Sequence, residues 1–450
     1  MRSELMKYAT AEVPRYTSYP TAVQFHDGVD RDIYRQWLTE LRPSDRLSAY
    51  VHIPFCAKLC WYCGCHTTVP NSYVKIMEYT DVLVREIELV ARQIPATQGI
   101  SHLHFGGGTP TVLTEMDMGR VMMALRDGFG LSAGAEVAVE MDPRGMTREK
   151  VEALAKNGVT RVSLGVQDFD PVVQEKINRI QSFDLVENTV TWLRGAGITD
   201  INFDLMYGLP TQTIDGSARS AELAVKLKPS RLAVFGYAHV PWFKKHQQMI
   251  SEDDLPGTEE RLAQAETVNA VLRQAGYVDI GFDHYALPDD PMAKALTEGT
   301  LRRNFQGYTD DPADVLIGFG ASSIGETRNG FVQNDPHTLR WAEDVLAGRL
   351  PVARGVARSD DDRLRGAAIE RILCNGELDL AEHCHRFGER FDALDEALPG
   401  LAVMAADGLL RLDGRQLTLT EDGRRFARPV AASFDKYLHR KTEKRHSVAV

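Results

Sequence analysis

The 450-residue sequence contains no apolar run of the roughly 18 residues that a membrane-spanning helix needs. Its opening stretch, MRSELMKYATAEVPRYTSYP, has no apolar core of the kind a secretory leader carries. The expectation is a cytoplasmic protein with no membrane span. Basic charge is also short: 52 Lys and Arg stand against 63 Asp and Glu, a net charge of −11. General nucleic-acid binding needs a basic surface, so no nucleic-acid partner is expected. An anionic ligand has to be met by a local group of cations, because the global field repels it. Low-complexity tracts are absent. Cysteine is scarce, with six in the chain, and their placement carries the first positive signal.

Four of the six, Cys56, Cys60, Cys63 and Cys65, fall within ten positions, and Cys374 and Cys384 lie far downstream as ordinary buried thiols. A disulfide framework spreads its cysteines over a small secreted domain, whereas a tight cluster in a large chain points to metal or catalysis. The segment YVHIPFCAKLCWYCGCH (50–66) has the spacing C-x3-C-x2-C. Four-cysteine zinc sites pair distant C-x2-C knuckles, and no second knuckle exists here. A [4Fe–4S] cubane held by three thiolates keeps one iron open to a ligand. That iron can chelate the amino and carboxylate groups of a methionine moiety, and an electron from the cluster then cleaves the sulfonium of S-adenosylmethionine. Cys65 has one residue between it and Cys63, too little room for thiolates on neighbouring irons, and its role is open.

Organisation follows a loose repeat of helix, glycine and strand in AKNGVTRVSLGV (155–166), RGAGITDINFDL (194–205) and RQAGYVDIGFD (273–283). Gly158, Gly197 and Gly276 fall where a helix C-cap needs positive φ. Further strands are predicted at 47–53, 101–105, 136–142 and 231–237, with amphipathic helices around 79–90, 116–125 and 259–272. Strands alternating with helices imply a parallel sheet, here six or seven units and short of a closed eightfold barrel. The predicted fold is α/β: a partial, open (β/α)6-type barrel plus a small, mostly helical, winged-helix-like C-terminal domain. The expected division is an N-terminal arm over the active site (1–46), the barrel with its extension (47–350) and the C-terminal domain (359–450). Ser359 before three aspartates reads as a helix N-cap, and 407–426 as a hairpin turning at Asp413–Gly414. The surplus of Lys and Arg in 421–450 reads as a solvated helix.

The cysteines directly follow the first strand, at the carboxyl end of the sheet where parallel α/β folds place their sites. HFGGGTP (104–110) ends the second strand; it is neither G-x-G-x-x-G nor a P-loop, and its glycines leave backbone groups open to a ligand. EMDPR (140–144) ends the third, where Glu140 is placed to accept from an ammonium or a ribose hydroxyl.

C-x3-C-x2-C after one strand and GGGTP after the next resemble the radical S-adenosylmethionine enzymes. PRYTSYPTA (14–22), C-x-Y-C-G-C (60–65), FGGGTPT (105–111), GVQDF (165–169), IN-x-DL-x-YGLP (201–210), YAHVP (237–241) and RNFQGYT (303–309) narrow it. Together they are similar to the oxygen-independent coproporphyrinogen III oxidases of bacterial haem synthesis, from about residue 7 to the C-terminus. The resemblance implies a [4Fe–4S] cluster on Cys56, Cys60 and Cys63 and two bound S-adenosylmethionines. Tyr50, Gly107, Glu140 and Ile324 match positions at the cluster-bound molecule. Tyr62, Gly108, Thr109, Gln167, Arg179, Asp204 and Ala238 match positions around the second, with Tyr62 replacing the family's usual phenylalanine. It further implies that Cys65 matters to turnover.

The implied reaction converts the propionates on rings A and B of coproporphyrinogen III to vinyl groups, giving protoporphyrinogen IX with reduced flavodoxin or ferredoxin as electron donor, in a monomer. For the carboxylates of that substrate the candidate cations are Arg15, between prolines and tyrosines in PRYTSYP, and Arg302 and Arg303 before NFQGY. A haem-binding chaperone and a haem-opening relative are the alternatives within the superfamily, and a zinc-stabilised DNA-binding protein is the alternative outside it.

Overall fold

The computed structural model describes residues 5–438, and the tail of the basic 421–450 stretch lies outside the described residues. Two compact units divide the chain. One is formed by residues 25–255 and 311–357, the other by residues up to 24, 256–310 and those from 358 onward. The units are therefore not the three linear segments expected from the sequence. Val13, Tyr16 and Tyr19 bury their side chains among Leu364, Ile369, Leu373, Leu417 and Phe434, which gathers the N-terminal segment into the same unit as the C-terminal residues.

The first unit is built on parallel strands β1 (Leu47–Ile53), β2 (Ile100–Gly107), β3 (Leu131–Met141), β4 (Arg161–Gln167), β5 (Asp200–Tyr207) and β6 (Arg231–Gly236). Each pairs with the next in parallel register, with the helices Val74–Ala91, Glu115–Phe129, Arg148–Lys156, Phe183–Gly195 and Ile214–Lys226 as crossovers. One face of these strands is fully packed: Val51, Ile53, Phe105, Val139, Val162, Leu164, Ile201 and Phe203 are all inaccessible, while alternate residues such as His104, Ser163, Asn202 and Asp204 are only partly buried. Gly158 and Gly197 end their helices at φ +88° and +87°, as the repeat predicted.

On the far side of β1 the sheet continues beyond what the sequence suggested. Val315–Phe319 pairs with β1 in parallel, and Ile324–Thr327, Gly330–Asn334 and Val352–Ala357 follow as an antiparallel meander. A five-residue apolar run such as VLIGF has no periodicity that separates a buried strand from a helix.

In the second unit the third repeat takes another course. Gly276 has the expected positive φ of +90°, but Val278–Ile280 turns back and pairs antiparallel with His284–Ala286. Ser359 and Asp362 form a reciprocal capping box at the start of helix Asp360–Asn375. Leu410–Asp413 and Gln416–Leu419 form the hairpin, and Glu377–Asp379 adds a third strand. Its turn falls on Gly414 and Arg415, one residue later than predicted, because Asp413 still pairs with Gln416. Among the described residues no helix is long and apolar enough to cross a membrane.

Candidate active site

The loop leaving β1 carries the four clustered cysteines. Its base is closed by Cys56 N–H donating to the Thr68 carbonyl (3.0 Å) and Thr68 N–H donating to the Pro54 carbonyl (2.9 Å). The rest has no regular secondary structure, so its backbone groups find partners elsewhere. Asn178 donates to the Leu59 carbonyl (2.8 Å), Gln247 to that of Tyr62 (2.9 Å) and Lys244 Nζ to that of Cys65 (2.9 Å). His246 Nε2 hydrogen-bonds the Cys63 carbonyl at 2.7 Å, and Trp61 N–H donates to the Ile177 carbonyl at 3.0 Å. Residues after β4 and β6 thus hold the cysteine loop in one shape.

The three thiols of the C-x3-C-x2-C motif meet different partners. Thr67 and Thr109 hydroxyls lie 3.1 and 3.4 Å from Cys56 Sγ. Cys60 Sγ accepts from Arg144 Nη2 at 3.2 Å and Arg179 Nη1 at 3.4 Å. Cys63 Sγ accepts from the Cys65 backbone N–H at 3.4 Å. Burial pushes the Cys56 thiol up, and a hydrogen bond from the Cys65 side chain draws Cys63 down to about 6. Guanidinium donors on a sulfur suit a thiolate, and the buried Arg179 Nε has no hydrogen-bond partner of its own. Among the described residues no three His, Cys, Asp or Glu side chains close around a single-ion site. A cubane seats each thiolate on its own iron, so its ligands stand further apart than those of one ion.

The thiols open on a cavity of about 240 Å³ also lined by Tyr62, Gly107, Gly108, Thr109, Glu140, Gln167, Arg179 and Asp204. Gly107 and Gly108 are glycines for internal reasons. Gly107 has φ +112°, and a Cβ there would lie 2.6 Å from the His52 ring; at Gly108 it would lie 2.5 Å from the Phe55 carbonyl oxygen. Their N–H groups are already used: Gly107 donates to Glu140 (3.1 Å), Gly108 to Ile53 and Thr109 to Phe55 (both 2.8 Å). The glycine run therefore turns the chain tightly past the cysteine loop, and its N–H groups are not available to a ligand.

Glu140 ends β3 with one oxygen on Gly107 N–H and the other on His104 Nε2 at 3.1 Å. Burial pushes its carboxyl up, but the His104 and Gly107 donors outweigh this and leave it below the ordinary carboxylate range. The side chain keeps 40% of its surface accessible, because it lines the cavity. Tyr50 stacks on the His104 ring and bonds His52 Nδ1 at 3.0 Å, so Tyr50 and Glu140 are joined through one histidine.

Within β4 and β5, Ser163 and Asn202 each donate to one oxygen of Asp204, at 3.1 and 2.9 Å. Gln167 sits at φ +66° beyond a register shift in β4. Arg179 bridges the Gly165 carbonyl, Asp142 (3.3 Å) and Cys60. Burial pushes the Asp142 carboxyl up, and Arg144 and Arg179 together bring it below its usual range.

Of the remaining sequence candidates, Ala238 is exposed after β6, and Ile324 is buried beside Gly318, the β1 register partner of Tyr50. Arg15, Arg302 and Arg303 belong to the other unit. There Arg303 donates to the backbone carbonyls of Arg15 (3.1 Å) and Tyr16 (3.4 Å) and lies 4.2 Å over the Tyr308 ring. Arg15 and Arg302 are exposed. Sequence reasoning did not single out Arg144, Lys244 or His246. The Asp142-Pro-Arg144 spacing that makes an ion pair across one turn was the available sign for the first.

Two family patterns match the chain: the Radical SAM superfamily over residues 50–224 and the HemN C-terminal domain over residues 359–426. The oxygen-independent coproporphyrinogen III oxidase of Bradyrhizobium diazoefficiens is 48% identical over 439 residues, covering 97% of this chain and 98% of the relative. That of Escherichia coli is 38% identical over 431 residues, covering 95% and 93%. The solved structure of coproporphyrinogen III oxidase (HemN) from Escherichia coli, described as a Radical SAM enzyme, superposes with a TM-score of 0.91 at 37% identity. It covers 95% of this chain and all of that one.

Proposed function

Because the chain belongs to the oxygen-independent coproporphyrinogen III oxidase family of radical S-adenosylmethionine enzymes, we propose that its cavity binds adenosylmethionine and that it decarboxylates coproporphyrinogen III. The observation that carries this reading is the convergence of three cysteine thiols, Glu140, Arg179 and Asp204 on one cavity at the carboxyl ends of the strands. Cys56, Cys60 and Cys63 would hold the [4Fe–4S] cluster, which when bound supplies the electron that cleaves adenosylmethionine.

The chain's own residues then bind, orient and shield. Glu140, fixed by His104 and Gly107, presents a carboxylate suited to the methionine ammonium. Asp204, braced by Ser163 and Asn202, suits ribose hydroxyls of a second adenosylmethionine, and Arg179 a carboxylate. Holding the radical in the strand-end cavity would keep it beside its intended hydrogen donor and away from other hydrogen donors and reductants. Each of two propionates would give a hydrogen atom from its β-carbon to a 5′-deoxyadenosyl radical and one further electron to an external electron acceptor, releasing CO2 and leaving a vinyl group. Reduced flavodoxin or ferredoxin is the proposed electron donor, the proposed state a monomer and the proposed setting the cytoplasm. The 1–46, 47–350 and 359–450 segments are proposed as a functional division, distinct from the two compact units.

The test is anaerobic. Protein reconstituted with iron and sulfide, reduced and given adenosylmethionine and coproporphyrinogen III, is expected to yield 5′-deoxyadenosine and stepwise loss of two carboxyl groups by mass spectrometry. Deoxyadenosine without decarboxylation would move the substrate elsewhere, towards haem.

A further inference from the structure

Residues 240–249, VPWFKKHQQM, follow β6 and carry two large aromatic side chains that nothing covers within their unit: Trp242 is 66% exposed and Phe243 74% exposed. The segment is not a loose loop. Phe243 and Lys244 N–H groups both donate to the Val240 carbonyl (2.8 Å), and Lys245–Met249 forms a short 3-10 turn. Gln247 is buried and works in two directions, accepting from Val240 N–H at 2.6 Å and donating to the Tyr62 carbonyl at 2.9 Å. Lys244 and His246 add their bonds to the Cys65 and Cys63 carbonyls. Trp242 and Phe243 are thus held on a rigid turn fastened to the same loop that carries the cysteines.

The charge is as pointed as the exposure. Lys244 lies 5.2 Å from the Phe243 ring centre, Lys245 is exposed beside it, and no acidic residue falls within 240–249. Of the three acids that come next, Asp254 is paired with Lys176 at 2.8 Å, Glu252 faces His239 at 3.6 Å and Asp253 is exposed. In a chain of net charge −11 this is a local cationic and aromatic surface beside the site. Flat apolar faces next to ammonium groups suit a ligand that is itself a broad apolar ring system edged with carboxylates.

We propose that the turn at 240–249 is a seat for the tetracarboxylate tetrapyrrole, with Trp242 and Phe243 against the macrocycle and Lys245 on a propionate. This deepens the oxidase reading above and rests on it. The alternative occupant is a reduced electron-donor protein, which would also favour a basic face.

The test uses the full chain with its cluster reconstituted, as wild type, as the W242A/F243A double variant and as K245E, at matched iron and sulfide content. Coproporphyrin III, the stable oxidised macrocycle, is titrated for its Kd, and the KM for coproporphyrinogen III is measured with dithionite and, in parallel, with reduced flavodoxin as reductant. Loss of two ring contacts is expected to raise both constants about tenfold in the double variant. K245E is expected to weaken binding severalfold, and less so at high salt. Unchanged Kd and KM in both variants overturn the seat. An effect confined to assays driven by flavodoxin also overturns it and assigns the face to the donor. If the wild type fails to decarboxylate while the double variant still loses porphyrin binding, the seat stands and the oxidase reading falls.

Discussion

The guanidinium of Arg144 lies 3.2 Å from the sulfur of Cys60. The two residues are 84 positions apart and are brought together because β1 and β3 end at the same edge of the sheet. Arg144 is itself oriented by Asp142, at 2.5 Å, so the pair forms a fixed cation behind a cluster-binding thiol. Removing such an outer partner typically costs metal affinity tenfold to about a hundredfold. R144A is therefore expected to lose iron to a chelator at least about tenfold faster than wild type, and R144K to recover part of the difference. Equal iron retention in the two variants and the wild type would leave Arg144 with no part in holding the cluster.

Cys60 and Cys65 separate two roles that the spacing alone leaves crowded together. C60S is expected to abolish cluster absorbance and 5′-deoxyadenosine formation together. C65S is expected to keep its iron and sulfide, since the exposed Cys65 thiol is not one of the three motif ligands, and to lose substrate turnover. Iron content measured on both variants checks the assignment, and a C65S protein that cannot be loaded would make Cys65 a ligand.

Much of this arrangement was legible because it is local. C-x3-C-x2-C is a statement about one loop, and its place after an apolar β-branched run put it at the carboxyl end of a strand. The helix-capping role of Gly158 and Gly197 was equally local, set by the φ that only glycine adopts cheaply. What escaped depends on tertiary register. Arg144 reaches Cys60, and Lys244 reaches Cys65, across 84 and 179 residues, and Arg179, a candidate from its motif position, was not expected to touch Cys60 across 119. The strands from Val315 to Ala357 are short and partly antiparallel, so neither length nor period set them apart. The third repeat failed for a related reason: Gly276 caps its helix as read, but the following strand finds its partner in His284–Ala286.

Gly108 offers a prediction that separates backbone packing from ligand contact. A Cβ at this position would lie 2.5 Å from the Phe55 carbonyl oxygen and 2.6 Å from Thr67 Oγ1, so the cysteine loop must shift to accept it. G108A is expected to lower thermal stability by a few degrees, for a cost of about 1–3 kcal/mol. It should also impair cluster loading before any adenosylmethionine is added. Wild-type loading with weaker adenosylmethionine binding would instead mark Gly108 as a contact to the nucleotide.

Glu86 carries the clearest pH dependence of stability. It is fully buried under the sheet extension, where Gly320 N–H (2.7 Å), Asn334 (2.6 Å) and Trp341 Nε1 (3.0 Å) donate to its carboxyl. Burial outweighs these three donors and lifts the group to about 7 from its ordinary 4.5. The unfolded chain thus releases this proton at lower pH than the folded one does. Between 4.5 and about 7 the folded state binds more protons, so stability falls as pH rises through that window and levels off above it. The full excursion corresponds to about 3 kcal/mol. In E86Q the side chain is neutral at every pH, and this part of the slope should vanish even if the variant is less stable throughout. Melting temperatures of both proteins across the window decide it. Parallel curves would show that Glu86 ionises in the folded protein as readily as in water, and that the three donors, rather than burial, set its charge.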